Sequence, residues 1–210
     1  MTTSMLPIRE RNRIETWRSI HDAAAELTLE NGLAALTVET VVARAGCSRR
    51  TFFNYFQTKE DAVLGMTEPR VTDAELRETF DRAPGEADFE RTMHVLIRIL
   101  EATFLDPALR GRRQLLIERA PSLRERFAAH IGLAEGYALA HLRARIDAGE
   151  TPLACRGIDD PVEAARALLM LASTIIRFAF VSDPEGMLAD REACLERAVA
   201  TFRAVIEATR

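Results

Sequence analysis

Apolar residues recur at spacings of three and four along nearly the whole chain, and no stretch of useful length alternates with period two, so the pattern predicts an all-α fold. A first helix is expected from about Arg11 to Asn31, with Trp17, Ile20, Ala24 and Leu27 on one stripe and Gly32 placed to end it. Thr37 reads as the cap of a short second helix carrying Val38, Val41, Val42 and Ala45 on one side and closed by Gly46. Ser48 caps a third, from Arg49 to about Phe56, and "TKED" at Thr58 opens a fourth with a Ser/Thr-x-x-acid start. The fourth helix, interrupted or ended near Pro69, is expected to extend toward residue 80 as a connector.

"DRAPGEAD", Asp81 to Asp88, has the Pro, Gly and charge content of a boundary, which predicts domains at 1–66 and 85–210. Further helices are expected over Phe89–Leu105, after Asp106-Pro107, and over Leu123–Ala148, Pro161–Val181 and Leu188–Ala208, with breaks at Pro107, Pro121, "DAGETP" and "SDPEG". The run "ALLMLASTIIRFAFV", Ala167 to Val181, is too short to span a bilayer and contains Arg177, so it reads as a buried helix and no membrane is expected. Being apolar almost all round, it needs more neighbours than one small domain supplies. A second subunit would provide them, through Leu168 and Leu171 here and Leu195, Val199, Phe202 and Ile206 of the amphipathic last helix.

Composition adds a globular class: 48% hydrophobic residues build a core, and 29% charged residues of both signs are interspersed. "MTTSMLPIRERNRIE" lacks the apolar stretch of a signal peptide, which predicts a cytoplasmic protein. Cys47, Cys155 and Cys194 are odd in number and lack ligand spacing, so neither a disulfide framework nor a metal site is expected. No cofactor is implied.

A net charge of −4 speaks against nucleic acid until its distribution is considered. From Ala43 to Lys59 the chain has Arg44, Arg49, Arg50 and Lys59 and no carboxylate, and "CSRRTFFNYF", Cys47 to Phe56, is dense in aromatics although the chain is only 6% aromatic. On a helix Phe52 and Phe56 face inward, toward Trp17, Val38 and Val42, while Arg49, Arg50, Phe53 and Asn54 face outward. In a DNA major groove, Arg pairs with guanine and Asn with adenine. Thr37, Thr51 and Tyr55 offer hydroxyls to phosphates, and Phe53 an apolar face to a thymine methyl or sugar. Lys59 opposes the macrodipole in the first turn of a helix, which a phosphate there would explain. Two short helices joined around Gly46 form the pattern of a helix-turn-helix. Arg9, Arg11 and Arg13 read equally as a frayed tail or as an arm reaching DNA.

The stretch "LTVETVVARAGCSRRTFFNYFQTKEDAVLG", Leu36 to Gly65, resembles the TetR family of transcriptional regulators: a capping Thr, an apolar short helix, Ala-Gly, Ser, then Thr-aromatic-aromatic-x-x-Phe-x-x-Lys-Glu. The resemblance covers about residues 10 to 65. It implies an N-terminal three-helix DNA-binding domain, a C-terminal helical domain for ligand binding and dimerisation, and a homodimer on a palindromic double-stranded DNA operator. It further implies a repressor released by a small-molecule effector, with the fourth helix carrying the movement. It assigns DNA-facing places to Thr37, Arg49, Arg50, Thr51, Phe53, Asn54, Tyr55 and Lys59. The family commonly has Tyr where this chain has Phe53, so one phosphate hydrogen bond is lost there.

In the C-terminal part, His130, Tyr137 and His141 fall close to one helical face, and with Phe104, Phe127, Met170, Thr174, Arg177 and Phe178 they are candidates for a pocket taking a lipophilic or aromatic effector. The same residues at the same spacing also read as plain core. Arg177 would meet a ligand carboxylate or pair with Glu101 or Glu118, and "RGRR", Arg110 to Arg113, reads as a solvated loop or helix start. No nucleophile, base and orienting residue form a set, so an enzyme is not expected. The rival readings are an architectural DNA-coating protein without an effector and, less well supported, an all-helical enzyme using His130, Tyr137 or His141.

Overall fold

Capping chemistry sets the helix ends in the first third of the chain. Thr37, Thr58 and Thr72 each accept from the backbone N–H three residues on, and in each case the third residue's side chain returns a hydrogen bond to the cap backbone. Gly46 and Gly65 close helices in the left-handed region, with φ of 67° and 60°.

The computed structural model describes residues 8–82, 87–104, 106, 109–150 and 157–209. Cys155, the break at Pro107, the Pro-Gly centre of "DRAPGEAD" with the expected domain start at 85, and the Thr-Pro end of "DAGETP" lie outside the described residues. Among the described residues the elements are helices: α1 Ile8–Asn31, α2 Val38–Ala45, α3 Arg49–Tyr55, α4 Lys59–Leu64, α5 Asp73–Asp81, α6 Asp88–Thr103, α7 Arg110–Arg119, α8 Leu123–Asp147, α9 Pro161–Ser182, α10 Gly186–Ala189 and α11 Arg191–Ala208. The fold is all-α. Two details depart from the periodicity reading. Arg9, Arg11 and Arg13 lie on α1 rather than on an arm, and Arg11 pairs with Glu15 one turn on.

The second departure is the connector. α4 stops at Leu64 and α5 is a separate helix opened by Thr72 and Glu75, so no single helix runs from Lys59 toward residue 80. The physical reason is Gly65: a Cβ there would lie 2.9 Å from His21 Nδ1, and the backbone turns into the left-handed region to let the ring approach.

The chain divides into two compact units that interleave along the sequence: residues 1–68 with 103–131, and residues 69–102 with 132–210. In the first, α1 packs on α2, α4 and α7 around Trp17, Ile20, Phe52, Phe56, Leu64, Met66, Leu116 and Leu123. Leu116 and Leu123, far along the chain, complete the core that buries Trp17, Phe52 and Phe56. The second unit gathers Phe80, Leu96, Ile99, Leu142, Leu169, Ile175, Ile176 and Leu195 around the packed pair α9 and α11.

α9 is not buried all round. At 22 residues it is long and apolar enough to cross a membrane by length and composition, yet it turns Ala165, Leu169, Ala172, Ile176 and Ala179 into the core of the second unit. Met170, Leu171, Phe178 and Val181 face outward, Met170 at 65% exposure.

Candidate nucleic-acid interface

Only Gly46, Cys47 and Ser48 separate α2 from α3. The Gly46 N–H bonds the Val42 carbonyl, and Ser48 Oγ accepts from Thr51 N–H at 3.0 Å, so both helix ends are satisfied inside a very tight turn. Burial of the half-exposed Cys47 raises its thiol pKa, consistent with a packed side chain.

On α3, Phe52 is fully buried beside Phe56, while Arg49, Arg50, Phe53 and Asn54 are exposed, Phe53 by 50%. Thr51 and Tyr55 are half-buried at the edges of this face, and Thr37 is exposed at the cap of α2. The Phe53 ring meets Phe52 edge-on at 5.3 Å and has the Arg49 guanidinium beside it, and its exposed half is suited to contact a surface.

Lys59 is placed differently from its sequence reading. Its Nζ donates to the carbonyls of Leu33 and Leu36 at 3.2 and 2.8 Å, closing the turn between α1 and α2. Those two carbonyls account for a cation at that position without a phosphate. The positive stretch is also less bare than its sequence: Arg44 pairs with Glu30 at 3.1 Å and Glu26 at 3.7 Å, and Arg49 pairs with Glu39. The carboxylates come from α1 and α2, outside the Ala43–Lys59 window.

Behind this face, α4 is held at both ends. At its start, Asp61 is 1% exposed and accepts from Thr58 N–H at 3.1 Å, from both edges of the Arg126 fork at 2.6 and 2.7 Å, and from His130 Nε2 at 2.7 Å. Burial pushes the Asp61 carboxyl up, but the bonds from His130, Arg126 and Thr58 outweigh it and hold it well below the usual carboxylate range. At its end, Arg113, 4% exposed, donates to the Leu64 carbonyl at 2.6 Å and to those of Gly65, Phe104 and Asp106 at 3.3–3.4 Å, and it stands over the Phe104 ring at 5.1 Å. Burial lowers its pKa to about 10. "RGRR" is the start of α7, the second of its two readings, and it is not solvated throughout: Arg113 is interior, and Arg112 is ion-paired with Asp22. In the middle, His21 Nδ1 donates to the Ala62 carbonyl at 2.8 Å, and burial lowers its pKa to about 4.

The pocket candidates divide between the two units. Phe104, Phe127 and His130 belong to the first unit, where the Phe104 and Phe127 rings meet tilted with centroids 5.8 Å apart and His130 is occupied by Asp61. Tyr137, His141, Met170, Thr174, Arg177 and Phe178 belong to the second. There Tyr137, Met170, Arg177 and Phe178 face outward, Thr174 bonds the Met170 carbonyl, and His141 is buried against Asp73 at 2.9 Å. Glu101 pairs with Arg191 and Glu118 accepts from Gln114, so neither serves as the expected acid for Arg177. Among the dimer candidates, Leu171 and Ile206 are exposed, and Leu168, Val199 and Phe202 are half-buried. Leu195 is core at 4% exposure, because it faces inward on α11.

A profile of bacterial regulatory proteins of the tetR family matches residues 20–64, the segment from mid-α1 through α4. That match shows that residues 20–64 are similar to the DNA-binding segment of TetR-family regulators. No curated protein sequence matches the chain. A solved structure from Streptomyces avermitilis, provisionally described as a TetR transcriptional regulator, is similar over 89% of this chain and 97% of its own, at 16% identity. Its TM-score of 0.31 is too low to inform the fold. The α2–turn–α3 unit lies inside the matched segment, and the side chains that grip α4, Arg113, Arg126 and His130, lie outside it. Sequence reasoning missed Arg113 and Arg126, which carry no local motif. It could have found α5, since Thr72 and Glu75 form a legible capping box.

Proposed function

We propose that the chain is a sequence-specific repressor that binds a palindromic operator as a homodimer and is released by a small lipophilic or aromatic effector. The observation that carries the DNA-binding part is the exposed face of α3, where Arg49, Arg50, Phe53 and Asn54 stand outward over a buried Phe52 and Phe56. Arg and Asn side chains there suit guanine and adenine edges in the major groove, with Thr37, Thr51 and Tyr55 placed for backbone contacts. In this reading residues 1–66 bind DNA, and the remainder, from 85, dimerises and senses.

The outward residues of α9 and α11 support the homodimer. Met170, Leu171, Phe178, Val181, Val205 and Ile206 are exposed, a large apolar area for a soluble monomer. A dimeric helix-turn-helix protein reads two half-sites about one helical turn of DNA apart, roughly 34–36 Å, which is the operator spacing expected here. The effector part rests on the family resemblance of residues 20–64 alone. The pairing of Arg44 and Arg49 with glutamates disfavours the architectural reading, because a coating protein needs an unneutralised cationic face.

The test is a footprinting titration on duplex from upstream of the protein's own gene, with random competitor at physiological salt. A protected palindrome with dimer-like cooperativity is expected. Uniform weak protection would overturn the sequence-specific reading in favour of the architectural one.

A further inference from the structure

Glu39, the second residue of α2, forms an ion pair with Arg49 across the turn, and the Arg49 guanidinium also stands 5.9 Å from the Phe53 ring centroid. Both charged side chains are mostly exposed, so the pair lies on the solvent face of the helix-turn-helix. An exposed pair contributes little to stability. Its consequence lies in where the guanidinium points and in the charge that the face presents.

An arginine has five donors in a rigid planar fork. A carboxylate on one edge and a ring beside the plane restrict a side chain that otherwise loses much rotamer freedom on binding, and they leave the remaining N–H groups for an incoming acceptor. The same carboxylate repels phosphate. Contact with a phosphate in random duplex would draw Arg49 away from Glu39 and leave that carboxylate unpaired beside the DNA backbone. Contact with guanine O6 and N7 keeps the pair and uses the outward donors.

We infer that Glu39 is a specificity-determining residue of this regulator: it presets Arg49 for a base edge and suppresses binding through phosphate alone. The inference rests on the DNA-binding reading above. It also gives a role to a carboxylate that sits among the residues facing DNA.

The experiment compares wild type, Glu39→Gln and Glu30→Gln on the footprinted operator and on random duplex across a salt series, with a melting curve for each. Glu39→Gln is expected to bind random duplex more tightly, with a salt slope steeper by about one unit. Its operator-to-random ratio should fall about tenfold. Glu30→Gln, which takes a carboxylate from Arg44 instead, should leave the ratio unchanged. An unchanged ratio in Glu39→Gln would overturn the inference, as would a parallel loss on both duplexes with a lowered melting temperature, which is the signature of a helix-start acid and nothing more. Wild type is measured first. If it shows no operator preference, the regulator reading fails and the inference falls with it, whereas a preference that survives Glu39→Gln removes the inference alone.

Discussion

Asp61 shows how much one buried side chain can hold. Its carboxylate serves the Thr58 cap, the Arg126 fork and His130 at once, so Asp61→Ala should strand a half-buried cation and a buried imidazole and cost about 3 kcal/mol. Urea midpoints with an unchanged m value would measure this, and a loss below about 1 kcal/mol would remove Asp61 from that role. His21 supplies a pH dependence. The folded protein keeps its ring neutral down to about 4, whereas the unfolded chain titrates at 6.5, so between those values the unfolded state binds the extra proton. Stability should therefore be full above 6.5 and decline by roughly 3 kcal/mol at most as pH falls through that window. Burial also lowers His141, with the same sign, so His21→Asn should flatten the decline in urea titrations without abolishing it.

At the scale of elements, the short α4 and its neighbours decide the geometry behind the recognition helix. Gly65→Ala should cost about 1–2 kcal/mol for the left-handed backbone alone, and more as the new Cβ displaces the His21 ring from the Ala62 carbonyl. Thermal unfolding would register it, and an unaltered melting temperature would show that the turn relaxes freely. Lys59→Met keeps the aliphatic stem and removes the bonds to Leu33 and Leu36. It should lower the melting temperature and leave the salt slope of DNA binding unchanged. A slope reduced by about one unit would instead restore Lys59 to the phosphate contacts.

For the whole molecule, the decisive feature is the apolar surface that α9 and α11 leave uncovered. Val205→Glu or Ile206→Glu, at positions 58% and 48% exposed, should give a folded monomer by sedimentation that has lost cooperative operator binding. Leu195→Glu is a different experiment, since Leu195 is core, and it should unfold the second unit. A Val205→Glu protein that sediments as a dimer would move the interface elsewhere.

The helical class, the caps at Thr37, Ser48 and Thr58, the stop at Gly46 and the inward and outward division of α3 were all determined by sequence, because each depends on interactions within a few residues. The glutamates that neutralise Arg44 and Arg49, the carbonyls that take Lys59 and the arginines that grip α4 were decided only by tertiary structure. These contacts join residues from ten to more than sixty positions apart, and no local pattern of charge or hydrophobicity records which distant partner a polar group will meet. The division of the pocket candidates between two units was likewise not legible in the sequence. Helical spacing fixes which side of a helix a residue occupies, while the packing of that helix decides whether the side faces core, partner or water.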